Sequence, residues 1–416
     1  MLRSRHPTIS ESTSAMDSPK KARNQKAGSG PKSNSGVGRI LCTAAAVLII
    51  IAFSSSKISL KQTLFSSSAN LRSTKPKMDY HIDDKCANLP AIKPAGTAFL
   101  DTKKFKKVLS PDFISPSYYI GSTFGDRVKY HMAADEVHFK LIKEHLSSSS
   151  KGKGKNPSKS IKGTAIDLGA NQGFFTYYLA ALGLDVHAFE ISADNFHSLQ
   201  HGQHYNRKSV AERVHLYPVG VDRKVHRFDM GGGGYGGFIK QTAEDSNNTN
   251  KDAEEKEEGG DESAGSILAV PFDCFAHHSK LNLSYLPFVK IDVEGFEIAA
   301  LMGASNSLFS HQTKIGAMLM EVGPDRWNRA NIDLETGIRE MKRVANRFQH
   351  SYILLRKEGG HAATCPVTIA EGVLVDGRPE VIEGKVHKHK VGVDEWKGLL
   401  TKMNEKHYDC NFWYTN

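Results

Sequence analysis

Thr164 to Ala180 reads TAIDLGANQGFFTYYLA. A short apolar run meets an acid, Asp167. Gly169, Asn171 and Gly173 follow, and then an aromatic run of helical character. Packing alone gains nothing from an acid and two glycines at such a turn. Gly169 permits a tight turn without a Cβ clash, and Gly173 lets the next helix sit close to the strand. Asp167 ends a strand, and the helix from Phe174 aims its first amides at the loop. The stretch therefore predicts a strand, a ligand-binding turn and a helix.

The segments downstream repeat the alternation. DVHAFE is a strand ending at Glu190, ADNFHSLQHGQHY a helix, and RVHLYPVGV a strand. LPFVKIDVEG is a strand ending in acids, and FEIAALMGASNSLF a helix. KIGAMLMEV, LETGIREMKRVANRF and SYILLRK read as strand, helix and strand. Such alternation predicts an α/β fold with a mostly parallel sheet covered on both faces. Ligands of such sheets sit at the carboxyl ends of the strands. Glu190 follows Asp167 by about 20 residues, the spacing that suits the hydroxyls of a ribose. The turn lacks the middle glycine of G-x-G-x-x-G and carries an acid instead. An acid repels a pyrophosphate and attracts the ammonium of a methionine moiety. The turn thus points to S-adenosylmethionine rather than a dinucleotide.

Phe288 to Ala304, FVKIDVEGFEIAALMGA, is the second signature. Lys290 and Asp292 alternate with Val289 and Ile291, so a charged pair lies on one face of a buried strand. Such a pair is costly unless matched. Asp292 and Glu294 are candidate catalytic residues at the rim. Glu297 at the helix start complements the helix dipole. Glu321 is a further strand-end acid, and Asp292 with Glu321 is a minor option for a divalent metal. His131 and His187 are histidines near the pattern to which no role is assigned.

AIDLGANQGFFT, HAFEISADNF, VPFDCF and FVKIDVEGFEIAALMGA together resemble the FkbM-type methyltransferases. The resemblance covers roughly Thr164 to Leu355, apart from an acidic insertion. It implies a Rossmann-like class I methyltransferase, doubly wound around a seven-stranded sheet, with S-adenosylmethionine as methyl donor. It also implies O-methylation of a hydroxyl, often on a sugar or natural product. Asp167, Gly169, Ala170, Asn171, Gly173, Phe174 and Glu190 would hold the cofactor. Asp292 and Glu294 would lie beside the methyl group and the acceptor. A hydroxyl acceptor needs a proton acceptor, for which Asp292, Glu294 or a nearby histidine serves.

The flanks set the organisation. The 416-residue chain has net charge +10. Residues 1–39 hold eight Lys/Arg against two acids, stretches such as SPKKARNQKAGSGPKSNSG have almost no apolar residues, and the segment reads as a disordered basic tail. An uncharged apolar run from Ile40 to Ser56 follows. It sits at the lower limit of the roughly 17–25 residues that span a bilayer. Positive charge before it favours a cytoplasmic N-terminus. The reading is a signal-anchor, with a cleaved signal peptide or an organelle-targeting segment as alternatives. That reading explains the basic tail better than nucleic-acid binding does. It makes the chain a single-pass membrane protein of the Golgi or endoplasmic reticulum, with residues 161–416 in the lumen. Residues 57–80 read as a stalk, 81–146 as a partly ordered extension and 147–160 as a linker. Ala134 to Leu146 carries Val137, Phe139, Leu141, Ile142 and Leu146 at helical spacing. An apolar-poor acidic insertion spans about 240–265. The glycine run of MGGGGYGGF before it is either a flap or a hinge. Cys86, Cys274, Cys365 and Cys410 allow two disulfides in an oxidising lumen, with three pairings open. Asn247 and Asn282 begin glycosylation sequons. Two other classes compete: a lumenal glycosyltransferase with a metal site at Asp292 and Glu294, and a non-catalytic binding domain on the same fold.

Overall fold

The computed structural model describes Cys86, Leu89 and residues 92–95, 104–150, 161–231, 238–240, 267–356, 365–375, 379–382 and 386–416. The expected tail, membrane segment and stalk lie outside these residues, as do 151–160 of the linker and almost all of the acidic insertion. No helix among the described residues is long and apolar enough to cross a membrane.

The extension contributes β1 (Lys106–Leu109), β2 (Tyr119–Ser122), α1 (Val128–Ala134) and α2 (Glu136–Ser150). The alternation then begins with β3 (Thr164–Leu168), α3 (Phe174–Leu182), β4 (Asp185–Phe189), α4 (Ala193–Tyr205), α5 (Lys208–Ala211) and β5 (Val214–Tyr217). A side sheet follows, of β6 (Gly220–Val221), β7 (His226–Gly231), β8 (Phe238–Lys240) and β9 (Ile267–Val270). The chain continues through α6 (Phe272–Ser279), β10 (Tyr285–Ile291), α7 (Glu297–Gly303) and β11 (Lys314–Val322). Its last part holds α8 (Leu334–Ala345), β12 (His350–Arg356), β13 (Cys365–Pro366), β14 (Glu380–Ile382), β15 (Val386–Lys390), α9 (Glu395–Lys406) and β16 (Cys410–Thr415).

The main sheet runs β14-β15-β12-β16-β11-β10-β3-β4-β5, with β13 paired to β12. From β5 to β11 every pairing is parallel. β16 inserts antiparallel between β11 and β12. Among the described residues the sheet therefore has ten strands rather than the expected seven, and it is mixed. β14 and β15 form an antiparallel hairpin that extends the sheet beyond β12. Its VHKHK strand has no apolar run, so composition hid it. β7 and β8 pair with Gly231 opposite Phe238. Residues 232–237, which hold most of the glycine run, lie outside the described residues. The stretch from Phe296 to Phe309 is helical only over Glu297–Gly303.

Two apolar clusters cover the sheet. Successive residues of a strand face opposite sides. Val289 and Ile291 enter one cluster, with α6, α7, α8 and α9. Phe288 and Ala165 enter the other, with α2, α3 and α4. Helix α3 is buried all round because α2 caps it: Phe139 stacks on Phe175 at 4.9 Å, and Tyr178 Oη donates to the Phe139 carbonyl at 3.0 Å. The extension is thereby packed onto the α3 face of the sheet.

Two disulfides form. Cys86 bonds Cys274 across a separation of 188 residues, and Cys365 bonds Cys410 across 45. Closing loops of this size stabilises a chain by about 3–5 kcal/mol each.

Candidate active site

Parallel pairing puts Lys290 of β10 opposite Asp167 of β3. Both alternate onto the α3 face, and both are buried. Lys290 Nζ lies 3.7 Å from Asp167 Oδ1 and 3.1 Å from Asp292 Oδ2, and donates to the Gly169 carbonyl at 3.0 Å. Thr176 Oγ1 donates to Asp167 Oδ2 at 2.6 Å. Burial alone would lower the Lys290 pKa, but Asp292 and Asp167 outweigh it and raise it. Burial raises the Asp167 carboxyl despite Lys290 and Thr176. This matched cluster joins the ends of the two strands that carry the sequence motifs.

Glu190 ends β4. Its Oε2 accepts from the Asn171 amide at 2.7 Å and its Oε1 from the Ser192 amide at 2.8 Å. Burial pushes its pKa up to about 7, and those two amides pull against it. Asp167 and Glu190 thus brace the turn from behind. Neither lines the adjacent cavity.

That cavity, of about 310 Å³, opens at the carboxyl ends of β3, β10 and β11. Ala170, Asn171 and Phe174 form one wall. Lys290, Asp292, Glu294 and Glu321 form another, and His131, Asp135 and His138 come from the extension. Asn171 and Glu294 both adopt left-handed backbone, at φ 51° and 53°. Such strain gathers where surrounding structure fixes a site. Asn171 Oδ1 is buried with no hydrogen-bond partner among the described residues.

Arg326 is the residue sequence reading missed. It sits in a 3-10 segment, Pro324–Ala330. Its guanidinium pairs with Glu294, with Glu321 at 3.5 Å and with Asp409 at 2.8 Å. Burial, followed by Asp292 and Glu294, raises Glu321 well above the carboxylate range. Burial also raises Glu294. Asp292, Glu294 and Glu321 bring ligand atoms within 4.8 Å of one another. Lys290 and Arg326 pair with these acids.

One expectation changes. Glu297 does more than complement a dipole: it is fully buried and accepts from the Gly295 amide at 2.6 Å and Trp327 Nε1 at 3.2 Å. Burial pushes it up to about 7. His187 is a packing residue, stacked on His215 at 4.6 Å and bonded to Tyr217 Oη at 2.8 Å. Burial and His215 hold its pKa down to about 3.

The family model of the methyltransferase FkbM domain matches residues 167–356. No curated protein matches the chain. The matched segment holds the Asp167 turn, Glu190, the Lys290–Asp292–Glu294 strand end and Arg326. The match to the FkbM methyltransferase domain falls on the segment whose motifs carried the resemblance.

Proposed function

We propose that this methyltransferase domain uses S-adenosylmethionine to O-methylate a carbohydrate or other small hydroxylated acceptor. The observation that carries the reading is the charge of the cavity. Asp135, Asp292, Glu294 and Glu321 line it with one cation, Lys290, while Arg326 pairs with Glu294 and Glu321 from outside the lining. An acid excess in a semi-enclosed site favours a cationic ligand. S-adenosylmethionine supplies an electrophilic methyl group on a positively charged sulfur. Ala170, Asn171 and Phe174 would meet the cofactor, with Gly169 and Gly173 shaping the turn. Asp167 and Glu190 would hold that turn in place. Asp292 and Glu294 would face the sulfonium and the acceptor. Positioning of the two reactants supplies much of the rate in such a transfer.

Calorimetric titration of the full chain tests this. Micromolar binding of S-adenosylmethionine and S-adenosylhomocysteine is expected. Asp292→Asn should weaken the charged sulfonium roughly tenfold, a loss of about 1.4 kcal/mol, and the neutral thioether much less. Binding only of a nucleotide sugar with manganese would sink the reading in favour of a glycosyltransferase.

The domain is proposed to lie in the lumen of the secretory pathway, anchored by residues 40–56. The two disulfides support this, since such bonds persist in oxidising compartments. Asn282 of its sequon is exposed, with Oδ1 accepting from Ser284 Oγ at 2.7 Å. In secretory cells, glycosidase treatment should reduce the mass of the chain, and Asn282→Gln should remove most of that shift. An unglycosylated chain with four free thiols would move the domain to the cytosol.

A further inference from the structure

A methyl transfer to a hydroxyl must dispose of a proton, and the carboxylates at the cavity are poorly suited to take it. Asp292 is held by Lys290 at 3.1 Å, and Glu294 and Glu321 share Arg326. A cation beside a carboxylate stabilises its charged form and weakens it as a base. Glu321 is a strand-end acid whose carboxylate already faces the Arg326 guanidinium at 3.5 Å.

The extension supplies a different group. Asp135 lies between α1 and α2, and His138 sits in the first turn of α2. The spacing is short enough that the turn itself aligns them: the His138 amide donates to the Asp135 carbonyl at 2.9 Å. The His138 ring places Nδ1 3.0 Å from Asp135 Oδ1. Both residues line the cavity, together with Asn171, Phe174 and Asp292. His138 is 1% exposed, and its Nε2 is buried with no hydrogen-bond partner among the described residues. A buried polar atom left without a partner costs about 1–3 kcal/mol. A site that keeps such an atom beside a cavity is built for a ligand group to satisfy it.

We propose that Asp135 and His138 form the proton-accepting dyad of this enzyme, with His138 Nε2 as the atom that takes the acceptor's hydroxyl proton. The inference rests on the methyltransferase reading above. Asp135 fixes the ring with its proton on Nδ1, so that Nε2 presents a lone pair. The acceptor O–H bond breaks and its proton goes to Nε2. The oxygen's electron pair forms the new O–C bond. The C–S bond breaks, and its pair stays on sulfur. Positive charge leaves the sulfonium and appears on the imidazolium, where Asp135 balances it until water takes the proton. The dyad comes from outside the FkbM-matched segment, 167–356. The extension is thus a part of the active site, held there by the packing of α2 on α3.

Nitrogen-15 NMR of ring-labelled histidine in the full, unliganded chain tests the geometry at a pH where imidazoles are neutral. The expected His138 signature is a proton on Nδ1 and a bare Nε2. Asp135→Ala should move the proton to Nε2, the form a free histidine prefers. A wild-type ring protonated on Nε2 would overturn the proposal. A second arm follows methyl transfer from labelled S-adenosylmethionine to methyl glycosides. His138→Gln should keep S-adenosylhomocysteine binding within about twofold and lose roughly 100-fold or more in kcat, the usual worth of a general base. Undiminished kcat in that variant would also overturn it. Loss of S-adenosylhomocysteine binding by the wild-type chain would reject the methyltransferase reading instead, whatever the tautomer.

Discussion

Lys290→Ala is expected to lower the unfolding free energy by about 3–5 kcal/mol, the cost of removing one partner of a buried ion pair. The Lys290 side chain is 5% exposed and that of Asp167 is 0% exposed. Without the ammonium, Asp167 keeps one hydrogen bond, from Thr176, and no counter-charge. Asp292 and the Gly169 carbonyl lose their partner as well. The loss should depend on pH in a definite direction. Burial already raises the Asp167 carboxyl, and removal of Lys290 raises it further. Above the ordinary carboxylate value, the folded variant then retains a proton that the unfolded chain releases. Its stability therefore falls as pH rises through that window. Denaturant unfolding at pH 5 and pH 8 should show the larger deficit at pH 8. Lys290→Ala with Asp167→Asn should recover part of it. A small, pH-independent loss would mean that the pair does not carry the strand ends.

How much of this was legible follows from where the signals lie. β3 and β10 are buried on both faces, so each reads as an apolar run, and a charge inside such a run stands out. That exposed Asp167 and Lys290 separately. Their partnership was not readable, because it depends on a register between strands far apart in the chain. The cysteine pairing was hidden for the same reason, with Cys86 and Cys274 separated by 188 residues. Helix α2 announced itself through Phe139, Leu141 and Ile142. Its packing on α3 left no local trace, so His138 went unnoticed as a cavity residue. Arg326 lies in EVGPDRWNRA, a segment without periodicity, and only folding brings it to Glu294, Glu321 and Asp409. The hairpin of β14 and β15 is polar in sequence because it forms the far edge of the sheet.

Gly169→Ala should show how tightly those strand ends are joined. The residue sits at φ +81°, where an L side chain is strained by about 1–2 kcal/mol. A Cβ there would overlap the Asp292 carbonyl oxygen and lie 2.7 Å from its carbonyl carbon. The obstacle is backbone, so no rotamer can relieve it. Relief requires β3 and β10 to part at the point where the Asp292 amide donates to the Leu168 carbonyl at 2.9 Å. Overpacking of this kind adds about 1–3 kcal/mol. The expected loss is therefore about 2–5 kcal/mol in chemical denaturation, with S-adenosylhomocysteine binding abolished. Gly372→Ala is the control. Gly372 has a similar backbone, φ +71°, but open space where a Cβ would stand. It should cost only the conformational 1–2 kcal/mol and leave binding intact. The difference between the two variants isolates the crowding of Gly169 against Asp292 from the price of a left-handed residue. Equal losses, with binding kept in both, would show that the Asp292 backbone yields, and that the cavity owes its shape to side chains rather than to the locked ends of β3 and β10.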